Sequence, residues 1–203
     1  MVDYRKASNG LRNAYFNYKA TNQCNSLVDF AAGYNSCLAN QPSELIMFYY
    51  GEKVSKCNHR LGDILEFTQK QGEEHHDYIQ WLFPNKEPSG FNPNAPLLTD
   101  DDIAKFKDNA MLTMNVQDAV DYFMGHLGFV SNGSVGIYFE YVPSFYTKAC
   151  VLGQFNHNHL RITRMIKFLR AIQHPVLNAV YHTVMDNCPI YESREYWSEA
   201  YNG

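Results

Sequence analysis

Residues 75–97 read HHDYIQWLFPNKEPSGFNPNAPL, and their character changes at Pro84. Before it, Tyr78, Ile79, Trp81, Leu82 and Phe83 supply large apolar groups within two helical turns. The helix they predict ends at Pro84, because proline disfavours helical geometry in the residue before it. After it, Pro84, Pro88, Pro93 and Pro96 alternate with Asn, Ser and Gly, so residues 84–98 predict an irregular loop. Thr99 with Asp100, Asp101 and Asp102 behind it then predicts a helix start, since a hydroxyl cap and first-turn carboxylates satisfy the free N–H groups and the positive end of the dipole.

Working outward, helical spacing recurs along the chain. Residues 3–19 are loosely periodic, and Leu27, Phe30, Ala31, Tyr34 and Leu38 form a stripe with Ser26 as its cap. Pro42 opens a short helix over Leu45 to Tyr50 that Gly51 stops. Residues 61–82 predict two short helices broken near Gly72. The helix begun at Thr99 runs toward Gly128 with a break near Asn109. Residues 131–145, SNGSVGIYFEYVPSF, predict an irregular excursion or a small hairpin. A long helix follows over 152–172, where Ile162, Met165, Ile166, Leu169 and Ile172 make one apolar stripe. Pro175 restarts a last helix, and Pro189 leads into an aromatic tail with Tyr196, Trp197 and Tyr201. The expected fold is all-α, a single-domain helical bundle of about seven to nine helices with a Pro-rich irregular loop. The expected organisation is an N-terminal helical extension over 1–44, a central domain over 45–187 and an aromatic C-terminal tail over 188–203.

Composition bounds the function. The chain has 203 residues, 45% of them hydrophobic and 19% charged, enough apolar surface for a core and too little charge for disorder. With Lys+Arg 17 against Asp+Glu 21 the formal charge is −4, which argues against general nucleic-acid binding. No apolar run reaches the ~18 residues of a transmembrane segment. Cys24, Cys37, Cys57, Cys150 and Cys188 form no CxxC pair or disulfide framework and read as reduced thiols. With no clear targeting signal, the expected location is cytoplasmic or nuclear.

The block HHDYIQWLFP, the Asn-Pro-Asn-Ala step at 92–95, the acidic helix start and the block NHNHLRITRMIKFLRAI at 156–172 together resemble the conserved region of the opioid growth factor receptor family. Upstream, MFYYGE at 47–52 and LGDIL at 61–65 look like further family positions, so the resemblance covers roughly 45–187. It implies a helical domain, unrelated in fold to seven-helix opioid receptors. It also implies reception of an enkephalin-type opioid peptide at the nucleus or perinuclear region.

Two clusters are candidate binding sites. His76, Tyr78, Gln80 and Trp81, with Asn92 in the following loop, combine a titratable ring, amides and aromatics and would form a binding patch. The structural alternative is that they pack against the loop and satisfy its backbone groups. Asn156, His157, Asn158 and His159 open the long helix, with Arg161 and Arg164 behind them; helix dipole and guanidiniums together would hold an anion. No Asp or Glu lies between Tyr141 and Met185, against Lys148, Arg161, Arg164, Lys167 and Arg170. The structural alternative pairs those arginines with Asp100 to Asp102 or Glu140. His157 and His159 lie about 200 degrees apart on a helix, so they do not form a metal pair there, and no metal or cofactor is expected. No GxSxG elbow, Walker loop or GxGxxG appears, and no catalytic residue is assigned.

The function these observations support is a non-catalytic module for a peptide or protein partner, with a subunit of a larger assembly as its variant. The alternative is an enzyme or binding protein for a small anionic or phosphorylated ligand using His157, His159, Arg161 and Arg164.

Overall fold

A computed structural model describes residues 42–52, 56–131, 139–141, 152 and 156–203 of the chain. The helices expected within 1–41 and the centre of the 131–145 excursion lie outside the described residues. Among the described residues the chain forms nine helices and one two-stranded ribbon. They are α1 (Glu44–Tyr49), α2 (Leu61–Leu65), α3 (Gln69–Glu74), α4 (Ile79–Leu82), α5 (Asp100–Asp108), α6 (Ala110–His126), β1 (Phe129–Ser131), β2 (Phe139–Tyr141), α7 (His157–Ala171), α8 (Leu177–Asn187) and α9 (Tyr191–Asn202). The all-α architecture therefore holds. The chain gathers into two compact units, one through Asp118 and one from Ala119. Helix α6 contributes residues to both.

In the first unit, short helices are held by capping and by one aromatic core. Ser43 caps α1, its Oγ accepting from the Ile46 amide at 3.2 Å, and Gly51 leaves the helix at φ 80, a conformation that costs glycine little. Phe48, Tyr49, Trp81 and Phe106 pack ring on ring: Phe48 lies 5.4 Å from Trp81, and Tyr49 lies 4.9 Å from Phe106 edge to face. The Tyr49 hydroxyl donates to the Leu82 carbonyl, and Asn115 Nδ2 donates to the Tyr49 carbonyl at 2.6 Å, while the buried Trp81 Nε1 finds no hydrogen-bond partner among the described residues.

Residues 61–82 form three helices rather than two. The breaks fall at Glu66–Thr68 and His75–Tyr78, while Gly72 sits buried inside α3. The cause is Thr68. Its hydroxyl accepts from the Gln71 amide at 3.3 Å and Gln71 Oε1 accepts from the Thr68 amide at 2.9 Å, a reciprocal cap that starts a new helix. Gly72 has its own use, because its carbonyl accepts from the buried Tyr78 hydroxyl at 3.2 Å.

The helix start at Thr99 has the predicted form and a wider reach. Asp102 is 1% exposed. Its carboxylate accepts from Thr99 Oγ1 at 2.7 Å and from the Thr99 amide at 3.2 Å, and it also accepts from Ser43 Oγ at 2.5 Å. One carboxylate thus ties the start of α5 to the start of α1. Asn109 ends α5 and opens α6, its Oδ1 accepting from the Met111 and Leu112 amides at 3.0 and 3.2 Å.

In the second unit, α7 packs against α9 and α8. β1 and β2 pair antiparallel with Phe129 opposite Tyr141, so the excursion has the ends of a hairpin. Helix α7 begins at His157, later than the sequence predicts, behind an Asn156 cap whose Oδ1 accepts from the Asn158 amide at 2.9 Å. The aromatic segment after Pro189 is the helix α9. Its Ser193, Trp197 and Ala200 are buried, while Tyr196 is exposed. Tyr201 stacks on Tyr181 with ring centroids 4.0 Å apart. Helix α7 closes with Gln173 at φ 55, the Gln173 amide bonded to the Arg170 carbonyl at 3.0 Å and the His174 amide to the Leu169 carbonyl at 2.9 Å. That pattern is the helix stop which normally recruits glycine.

Two outcomes follow from these caps. Asp102→Ala strands the Thr99 and Ser43 donors and should destabilise the protein by roughly 3 kcal/mol in urea unfolding, against about 1 kcal/mol for Ser43→Ala. Equal effects would show that the buried carboxylate does not join the two helices. Gln173→Gly relieves a left-handed side-chain conformation and should stabilise by about 1 kcal/mol in the same assay; a loss would contradict the assigned stop.

Candidate functional site

The tryptophan block is folded inward. Tyr78 to Asn85 are all buried, with Trp81 at 1% and Gln80 at 8% exposure. All four residues of α4 are buried, with Trp81 against the Phe48 ring of α1, and the Pro-rich loop follows. That loop is closed at its neck, where the Leu98 amide donates to the Asn85 carbonyl at 3.0 Å and Lys86 bonds Asp100 at 2.6 Å. The Lys86 ammonium holds the Asp100 carboxyl below the usual carboxylate range. Asn92 organises the loop from within: its Oδ1 accepts from the Asn94 amide at 3.0 Å and its Nδ2 donates to the Asp77 carbonyl at 3.2 Å. Gln80 Nε2 donates to the His76 and Asp77 carbonyls, each at 3.1 Å.

Of the five residues predicted as a patch here, His76 is exposed and Asn92 half-buried, while Tyr78, Gln80 and Trp81 are enclosed. Trp81 packs against the Phe48 ring of α1, and Gln80 returns to the backbone just before its own helix. His76 itself bonds the Glu74 carbonyl through Nδ1 at 3.0 Å.

The histidine–arginine block divides between two faces of α7. His157 is exposed and Arg164 half-buried on one side. His159, at 2% exposure, turns inward to α9, where its Nδ1 bonds Ser193 Oγ, and Trp197 Nε1 donates to the His159 carbonyl at 3.1 Å. Arg161, 6% exposed, donates from Nη1 to Asn158 Oδ1 at 3.1 Å. Asp100 pairs with Lys86, Asp101 with Lys105 at 2.5 Å, and Asp102 with Ser43 and Thr99. Asn156, Asn158, His159 and Arg161 thus enter cap and helix contacts, and Arg161 lies on the same side of α7 as His157 and Arg164.

A serine bonded to a histidine is the start of a nucleophile–base pair, but chemistry needs access. Ser193 is 1% exposed, and the Trp197 ring lies 5.5 Å from the imidazole, closing that side. The described thiols are equally enclosed: Cys57 and Cys188 are free and buried. Burial pushes the Cys57 thiol up to about 11 and raises that of Cys188 as well, keeping both in the weakly nucleophilic protonated form. Among the described residues no three His, Cys, Asp or Glu side chains gather as a metal site, and no helix is long and apolar enough to cross a membrane.

Sequence reasoning missed the role of α9. Ser193, Trp197 and Ala200 recur at i, i+4 and i+7, the spacing of a buried stripe, and that signal was available beneath the mainly polar composition of the segment. The opposite face of α9 is open. Tyr191 and Tyr196 stand 68% and 58% exposed there, and the Tyr191 hydroxyl donates to Glu195, which raises the phenol above its ordinary range.

Comparison with known proteins places these blocks. Residues 41–186 match the model of the opioid growth factor receptor conserved region. The opioid growth factor receptor of Rattus norvegicus is 37% identical over 101 residues, covering 48% of this chain and 17% of that protein. The human protein of the same name is 36% identical over 101 residues, 48% of this chain and 14% of its own length. The opioid growth factor receptor-like protein 1 of Xenopus tropicalis is 34% identical over 100 residues, 48% of this chain and 19% of its own. These alignments span less than a fifth of each relative. No solved structure matches. The family match extends over well more than half of the chain and contains both the buried tryptophan block and the buried histidine–arginine block, and the chain belongs to the opioid growth factor receptor conserved-region family.

Proposed function

We propose that the chain is a non-catalytic module that docks a peptide or protein partner. The observation that carries this reading is the burial of the chemistry: His159, Ser193 and Arg161 are spent on helix packing, while large aromatic side chains, Phe91 at 86%, Tyr191 at 68% and Tyr196 at 58% exposure, stand on the surface. Exposed aromatics anchor interfaces because each covers a large area at low entropic cost. The names of the relatives support a peptide partner, and an enkephalin-type opioid peptide is the first to try. A stoichiometric place in a larger assembly is the variant of the same reading. Free, buried Cys57 and Cys188 suit the cytoplasmic or nuclear location proposed with it.

Isothermal titration of the 203-residue chain with an opioid pentapeptide of the enkephalin type tests the peptide reading. Saturable heat that a scrambled peptide fails to give is expected; heat equal for both peptides, or none for either, removes the peptide partner. Arg161→Ala separates this reading from the anion-site alternative. Loss of a buried charged hydrogen bond should cost roughly 2 kcal/mol and lower Tm by about 5 °C. Inorganic phosphate should raise Tm by the same small amount in both proteins. Phosphate stabilisation of the native chain that vanishes in the variant would instead favour the anion site.

A further inference from the structure

Helix α9 uses barely half of its circumference for packing. At 100° per residue Ser193, Trp197 and Ala200 cluster on one side, and Tyr191, Glu195, Glu199, Glu192 and Tyr196 fall within a 140° arc on the other. That arc, with Met185 of α8, lines an open groove of about 730 Å³. Its floor is apolar and aromatic, since Met185 is half-buried and the two tyrosine rings lie largely in solvent. Its rim is acidic. Glu195 accepts from the Tyr191 hydroxyl, while Glu192 and Glu199 enter no ion pair among the described residues, and Arg194 at the edge is the one cation lining it.

We infer that this groove is a docking site for a cationic peptide segment, one that carries several Lys or Arg residues around an aromatic or aliphatic anchor. The inference rests on the module reading above and names the partner's chemistry and its seat. Charge complementarity selects the occupant: three carboxylates against one guanidinium attract a basic chain and repel an acidic one. Tyrosine faces add cation–π contact to Lys and Arg, and Met185 adapts to the anchor side chain. An open groove along a helix suits a chain segment better than a small ligand, which needs most of its surface enclosed.

The test uses fluorescence anisotropy of a labelled nonapeptide, KFKKLFKKF, with the 203-residue chain. Glu192→Gln/Glu199→Gln keeps the side-chain shapes and removes two charges. Its affinity for the peptide should fall about tenfold with the thermal transition unchanged. A control double variant, Glu66→Gln/Asp108→Asn, removes the same charge from the other unit and should bind as the native chain does. Tyr196→Ala should weaken binding about fivefold. The peptide with Glu in place of each Lys should not bind, and raising NaCl from 50 to 500 mM should weaken the native complex. Equal losses in the two double variants would mean that net charge alone attracts the peptide, and the groove assignment falls. Undiminished binding by the Glu192/Glu199 variant seats the peptide elsewhere and overturns the groove while leaving the opioid-peptide titration to judge the module reading. Absence of binding by the native chain overturns it too.

Discussion

The first unit depends on one buried carboxylate. An ionised group out of water is tolerated only where hydrogen bonds replace its hydration, and Asp102 meets that demand by drawing the Thr99 amide and hydroxyl and the Ser43 hydroxyl onto its two oxygens. Because Ser43 and Asp102 stand 59 residues apart, satisfying the charge fixes where α1 and α5 begin relative to each other. Everything threaded between them inherits the constraint. The Pro-rich loop closes its neck between Asn85 and Leu98, one residue short of the Thr99 cap. Helices as short as α2, α3 and α4 are not stable alone, so it is this closure and the aromatic core beneath it that hold them.

The second unit meets a similar demand differently. His159 and Ser193 sit on facing helices and satisfy each other, and Trp197 spends its indole N–H on the His159 carbonyl. Thr163 donates to that carbonyl as well, at 3.0 Å. A buried polar network of this kind aligns two helices in a way an apolar contact alone does not, since slippage by one residue would strand several donors together. Arg161 follows the same rule by returning to Asn158 within its own helix.

What the chain shows by inspection is governed by local rules. Ser43, Thr99, Asn109 and Asn156 act through side chains that reach only two or three residues, and Gly51 and Gly128 take φ of 80 and 90, which only their lack of a Cβ makes easy. Those positions fix α1, α5 and α6 almost to the residue, while α7 starts only at the Asn156 cap, five residues past the start its apolar spacing predicts. Thr68 obeys the same rule through Gln71, yet the helical spacing of 61–82 overshadowed it. Burial is not local. Whether Trp81 faces water depends on the Phe48 ring of a helix more than thirty residues away, and whether Tyr196 or Trp197 is inside depends on α7. One residue separates a ring at 58% exposure from one at 0%, and only the partner helix decides which is which.

A consequence follows for how the family resemblance bears on function. Most of the side chains that make the two blocks recognisable, Tyr78, Ile79, Gln80, Trp81, Leu82 and Phe83 in one and Asn158, His159, Arg161 and Ile162 in the other, are buried. They specify how the helices are capped, covered and packed, so sharing them with the receptors means sharing a scaffold. On α9 the side chains that reach solvent include tyrosines and glutamates lying beyond residue 186, where the family match stops. Two members of the family can therefore keep the same buried blocks and differ in what they bind, through substitutions on a helix face that contributes nothing to the core.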